Sequence, residues 1–144
     1  MRAFLRAPIL LYRWHLGWLL GGRLLMLEHV GRVSGATRRT VLEVVDRDAA
    51  GRVTVASGWG PGSQWYRNVR AQPAVTVQMG RRRIPVTAVF PDADDVVPAL
   101  QRYAGRHPRA ARALFRYMGA PVDGSAESLR AAAHHVPWVQ FVPR

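Results

Sequence analysis

Two stretches of the chain hold residues whose types and spacing can do chemistry. The first is Gly31-Arg32-Val33-Ser34-Gly35-Ala36-Thr37-Arg38-Arg39, set between two apolar runs. Its two glycines let the backbone turn tightly and approach a ligand with no Cβ in the way. The peptide N–H groups of such a turn, the hydroxyls of Ser34 and Thr37 and the guanidinium groups of Arg32 and Arg38 compose a concave site for a phosphate or carboxylate. An ordinary basic hairpin turn is the plainer alternative. The second stretch is Ala56-Ser57-Gly58-Trp59-Gly60-Pro61-Gly62-Ser63-Gln64-Trp65-Tyr66-Arg67-Asn68. It leaves a β-like run, crosses a Gly/Pro loop and takes up helical spacing, so a helix N-terminus is available to an anion. The indoles of Trp59 and Trp65 could pack on a ring system or belong to the core.

Other chemistries lack their residues. There is no cysteine, so neither a disulfide framework nor a thiolate metal site can form. His15, His29, His107, His134 and His135 make no metal-binding spacing with a carboxylate. No Gly-x-Ser-x-Gly elbow or Ser/His/Asp set stands out. His107 reads as a helix-terminus or surface histidine.

The elements that position the two stretches follow from periodicity. Leu24 to Val30 reads as a strand entering the Gly31 turn and Thr40 to Asp46 as the strand leaving it. Ala49-Ala50-Gly51 turns into Arg52–Ser57, where Val53 and Val55 alternate with polar neighbours. Gln64 to Ala71 is a short helix that Pro73 ends. Ala74–Met79 and Arg82–Phe90 flank the Gly80-Arg81 connection. If Trp138–Val142 closes the sheet, about six strands make a barrel. Between Pro91 and Ala133 the period becomes helical: Asp92, Asp94 and Asp95 crowd the start of a helix running to about Tyr103. Pro108 opens another with Ala111, Leu114, Phe115 and Met118 on one face and Arg109, Arg112 and Arg116 on the other. Gly119 stops it, and Ser125 begins a last short helix.

Residues 1–22 read as an N-terminal amphipathic helix with Arg2, Arg6 and Arg13 on one stripe. Arg13 and His15 interrupt it well short of the ~20 apolar residues of a membrane span, and a signal-peptide cleavage pattern is lacking. Packing on the barrel or on a partner subunit is the first expectation, and lying on an anionic membrane surface is the second. Residues 23–144 then form one domain, and a chain of 144 residues buries roughly two-thirds of its unfolded surface. A hydrophobic content of 49% with 21% charged residues is that of a globular protein. All 21 basic residues are arginine and the net charge is +12, which attracts polyanions: nucleic acid, an anionic membrane or a multiply charged cofactor. Nucleic acid is the least favoured, because the arginines are spread along the chain and exposed aromatics are not interleaved with them.

Taken together, Gly-Arg-x-Ser-Gly-x-x-Arg-Arg-Thr from Gly31, Ala-Ser-Gly-Trp-Gly from Ala56, Trp-Tyr-Arg-Asn from Trp65 and Arg-Ala-Gln-Pro from Arg70 resemble the deazaflavin-dependent nitroreductase and quinone reductase family. The resemblance is best over roughly residues 20 to 90. It implies an α+β split β-barrel, similar to FMN-binding split barrels, with flanking helices and with coenzyme F420, an 8-hydroxy-5-deazaflavin, as cofactor; FMN is less favoured. Carried over by position, it places Met26, Leu27 and Glu28 on a strand lining the cofactor site. Arg32, Val33, Ser34, Gly35, Ala36, Thr37 and Arg38 form the loop holding the coenzyme's charged part. Ala56, Ser57, Gly58 and Trp59, with Gln64, Trp65, Tyr66, Arg67 and Asn68, close the site. Val33 and Gly58-Trp59 stand where many relatives carry basic residues. Gly105-Arg106-His107-Pro108-Arg109 replaces a tyrosine-rich substrate segment.

The implied activity is hydride transfer from reduced F420 to a small hydrophobic acceptor of the quinone, nitroaromatic or enone class, with Ser57 or Tyr66 steadying the acceptor. The implied setting is cytoplasmic, with peripheral attachment to the inner face of the cell membrane open, as is a homodimer. A non-catalytic F420-binding or storage protein and a basic nucleic-acid binder are the rival classes.

Overall fold

The computed structural model describes residues 24–57, 60–117, 119, 123 and 125–144. The expected N-terminal helix over residues 1–22, Gly58, Trp59 and Met118 lie outside the described residues.

Seven strands form one antiparallel sheet: β1 (Leu24–Val30), β2 (Thr37–Glu43), β3 (Asp46–Arg47), β4 (Val53–Ala56), β5 (Ala74–Met79), β6 (Arg82–Val89) and β7 (Trp138–Pro143). Their order is β2-β1-β5-β6-β7-β4-β3. The sheet curls until β2 comes back against β4. Four helices are described: α1 (Gln64–Ala71), α2 (Ala93–Arg106), α3 (Pro108–Tyr117) and α4 (Ala126–Ala133). None of the described helices is long and apolar enough to cross a membrane.

Alternation in the strands divides the apolar residues between two cores. Leu25, Leu27, Val55, Val77, Val139 and Phe141 point to the inside of the curl, where Trp65 and Val69 of α1 join them. On the outer face Trp138 and Val45 pack with Leu100, Phe115 and Leu129 from α2, α3 and α4. Thr54 is buried although alternation gives it an outward, polar position; Gln140 Nε2 donates to its Oγ1 at 3.3 Å. Helix ends follow their chemistry. Ser125 Oγ accepts from Ser128 N at 3.1 Å, and Asp94 and Asp95 stand in the first turn of α2. Arg109, Arg112 and Arg116 are exposed, as their spacing predicts.

Two expectations change. The strand after the Gly31 turn begins at Thr37 rather than Thr40, because Thr37, Arg38 and Arg39 pair with Val30, His29 and Glu28. Polar and charged side chains suit it, since β2 is an edge of the sheet. The run to Asp46 is also two strands, not one. Pairing with β1 stops at Glu43, and Val45 N donates instead to Thr54 O at 2.9 Å, which turns Asp46–Arg47 onto β4. This makes the sheet seven-stranded instead of six.

Candidate functional site

The register Val30↔Thr37 leaves only residues 31–36 to turn the chain between β1 and β2. Gly31 N donates to Ala36 O and Gly35 N to Gly31 O, both at 2.8 Å, and Gly35 takes φ 72°. Ser34 Oγ accepts from Ala36 N at 3.2 Å. The turn's amides at Gly31, Gly35 and Ala36 are therefore satisfied within the turn, which leaves the N–H groups of Val33 and Ser34 and the guanidinium groups as its donors to an anion. Val33 is at the tip, 93% exposed. A Cβ on Gly31 would stand 2.7 Å from Ser34 Oγ and 3.0 Å from Arg38 Nε. Gly31→Ala is expected to cost about 1–3 kcal/mol through overpacking, read as a drop in Tm; an unchanged Tm would mean that the Ser34 bond is dispensable.

Arg32 joins the turn to α1. Its backbone N–H donates to Asn68 Oδ1 at 3.1 Å, and its Nη1 donates to Asn68 Oδ1 at 2.8 Å and to Gln64 Oε1 at 2.9 Å. Gln64 and Asn68 are one helical turn apart and so share a face of α1. Asn68 Nδ2 reaches His29 Nδ1 at 3.1 Å. His29 occupies the inward phase of β1 with Leu25 and Leu27 and is buried. Burial, with the Arg38 charge second, lowers its pKa from 6.5 to about 4, so the imidazole is neutral at pH 7.

The second stretch leaves β4 at Ala56. Ser57 is fully buried; its N–H donates to Pro137 O at 2.9 Å and its Oγ donates to Gly60 O at 2.6 Å. Its hydroxyl proton is committed to shaping the loop. Gly60 takes φ 87°, and the chain reaches the α1 N-cap at Ser63, whose Oγ is buried with no hydrogen-bond partner among the described residues. Trp65 is core. Tyr66 meets Trp65 and Phe90 edge-on at 6.0 and 5.9 Å between centroids, and the Arg70 guanidinium lies 4.6 Å over Phe90 and 5.9 Å over Tyr66. These contacts hold Arg70 by cation–π attraction.

Between the two stretches opens a cleft of about 550 Å³ lined by Arg32, Pro61, Tyr66, Arg67 and Arg70. Three cations around one concavity with an aromatic wall can hold an anionic group and a flat apolar one together. Of the residues expected at a site, the structure brings Arg32, Gln64, Tyr66, Arg67 and Asn68 to this region. Leu27 is in the core instead, and Met26 and Glu28 face the other side of the sheet, where Glu28 pairs with Arg83 at 2.6 Å and more distantly with Arg39 at 3.9 Å. Ala56 packs toward the helical layer. Arg38 is exposed on β2, opposite His29. Arg70 and Pro61 line the cleft without having been expected at the site, and His29, which bonds Asn68 beneath it, was not expected there either. A polar side chain in the inward phase of an apolar strand needs a buried partner, and that signal was present.

The architecture is that of the split-barrel flavin and deazaflavin reductases. It is similar to an F420-H2 dependent reductase, FDR-A, at 20% identity and TM-score 0.55 over 82% of this chain and 92% of that one. It is similar also to a pyridoxamine 5'-phosphate oxidase-related, FMN binding protein from Nostoc punctiforme at 17% identity and TM-score 0.52, over 96% of this chain and 79% of that one. At such identities the likeness concerns the fold alone. Residues 13–113 match the model of the F420H(2)-dependent quinone reductase family, and the chain belongs to that family. A curated relative, the "Putative F420H(2)-dependent quinone reductase Rv3178" of Mycobacterium tuberculosis, is 38% identical over 72 residues. The match spans 49% of this chain and 60% of that protein, less than two thirds of its length.

Proposed function

We propose that this chain is an oxidoreductase that binds coenzyme F420 in the cleft between the Gly31–Thr37 turn and α1 and reduces a hydrophobic acceptor of the quinone class. Nitroaromatics and enones are acceptors of related chemistry. The observation that carries the reading is the cleft itself, where Arg32, Arg67 and Arg70 stand around Tyr66 and Pro61. The residues fit the coenzyme. Its tail carries a phosphate and glutamate, and Arg32 has two acceptors on Nη1 but none among the described residues on Nε or Nη2, which leaves donors for an anion.

When bound, the reduced coenzyme supplies the hydride. The chain's own part is to hold and orient. Arg32 is fixed by Gln64 and Asn68, and Arg70 by the faces of Phe90 and Tyr66. Fixed cations lose little freedom on gripping an anion. Tyr66 lines the cleft and its hydroxyl is the group we assign to steady the acceptor; Ser57 acts on the loop through Gly60. Positioning of this kind is enough where the cofactor does the bond chemistry.

Titration with oxidised F420, FMN and haem in parallel tests the reading. F420 is expected to bind most tightly and reduced F420 to turn over menadione. Arg32→Ala is expected to weaken F420 binding by about 1.5–3 kcal/mol, the range for a charged hydrogen bond, and binding should weaken with salt. Equal affinities for wild type and variant would remove Arg32 from the site. Tight binding without turnover on any quinone, nitroaromatic or enone would make the chain a coenzyme-binding protein instead.

A further inference from the structure

We propose that Asn68 and His29 are positioning residues that act through Arg32, setting the direction of its guanidinium at the cleft without touching a ligand. The inference rests on the coenzyme site proposed above and adds a reason for its rigidity. Asn68 is 2% exposed. Its Oδ1 accepts from the Arg32 backbone N–H at 3.1 Å and from Arg32 Nη1 at 2.8 Å. Both partners can only donate, so the amide has one possible orientation. Nδ2 is then the atom that meets His29 Nδ1 at 3.1 Å, and it donates. His29 Nδ1 must be an acceptor, which puts the imidazole proton on Nε2. A connected path thus runs from β1 through α1 to the turn, and each link fixes the next. With no acceptor at position 29, Nδ2 would be buried without a partner, the amide would lose its tie to β1, and the Arg32 guanidinium that bonds Oδ1 would be held less firmly.

The local charges agree. Among the described residues the cations facing His29 are Arg38, its cross-strand partner on β2, and, through Asn68, Arg32 of the turn; Glu28 beside it points to the opposite side of the sheet. Burial first and Arg38 second hold His29 neutral down to about pH 4. The acceptor role is therefore permanent at neutral pH.

The test uses the full chain labelled with ¹⁵N. Wild type should show His29 as the Nε2–H tautomer and slowly exchanging Arg32 Nη–H protons. His29→Leu should abolish that protection and weaken oxidised F420 binding about tenfold, in line with loss of part of a charged hydrogen bond. His29→Gln, whose Oε1 can accept from Asn68, should restore both. In an Arg32→Ala background His29→Leu should add nothing, because its effect passes through the guanidinium. Should His29→Leu fail to fold, Asn68→Ala must give the same loss of Arg32 protection. Unchanged Arg32 resonances in these variants, or an equal fall in affinity with and without Arg32, would overturn the proposal. Because the resonances need no coenzyme, failure of wild type to bind F420 would defeat the functional reading while the resonances still decide this one.

Discussion

Phe141→Ala is expected to lower the unfolding free energy by about 3–5 kcal/mol, the usual cost of emptying a buried phenylalanine site. Phe141 is fully buried on β7, and its register partners are Ala88 on β6 and Val53 on β4. It stands where β7 joins the two halves of the sheet. Val53 and Ala88 are too small to close over the gap, and Val55 and Val139 beside it are held in their own strands. A cavity should persist, because strands paired on both sides cannot move together without breaking ladder hydrogen bonds. Urea denaturation should show a lower midpoint with an unchanged slope. Val142→Ala, one residue along and on the half-buried outer face, should cost far less. Equal costs at the two positions would mean that the interior of the curl is not closed.

How much of this was legible in the sequence depended on whether a residue's fate was decided locally. β1, β5, β6 and α1 were placed by alternation, helical spacing and the Gly/Pro marks that bound them, and Ser125 by its capping chemistry. The fate of Thr37–Arg39 was not local. Three polar residues after a glycine turn read as loop, and only their pairing with β1 makes them a strand. Thr54, a polar neighbour of Val53 and Val55 by alternation, is nonetheless buried, and its partner Gln140 comes from β7, 86 residues downstream. The site divides in the same manner. Arg32, Tyr66 and Arg67 could be placed near one another from the two loops. That Ser57 donates to Gly60, and that Trp65 belongs to the core, depends on where the loop and α1 settle against the sheet. His29 illustrates the reverse case, a residue whose inward phase was readable but whose partner, Asn68, lies 39 positions away.

Glu43→Gln is expected to remove a pH dependence of stability that wild type carries between about pH 4.5 and pH 8. Glu43 ends β2 beneath α2 and is 7% exposed. Tyr103 donates to its Oε1 at 3.2 Å, and Oε2 is buried with no partner among the described residues. Asp46, under the same helix, contrasts with it: Arg102 donates to both its oxygens, at 3.2 and 2.8 Å. With no such cation on it among the described residues, Glu43 has its pKa raised from 4.5 to about 8, by burial, with the Tyr103 bond opposing. The sign follows from linkage. Between these values the folded chain keeps a proton that the unfolded chain has lost, so stability is complete below pH 4.5 and falls as the pH rises to about 8. At 1.36 kcal/mol per pKa unit the loss has an upper bound of roughly 4–5 kcal/mol. Glutamine cannot ionise and keeps an acceptor for Tyr103, so its stability should be flat across that window. The slope of unfolding free energy against pH is the quantity to measure, since a constant offset from the new amide N–H groups does not alter it. Equal slopes for wild type and Glu43→Gln would show that the carboxyl ionises as freely in the folded chain as in the unfolded one. α2 would then have to admit water to that oxygen.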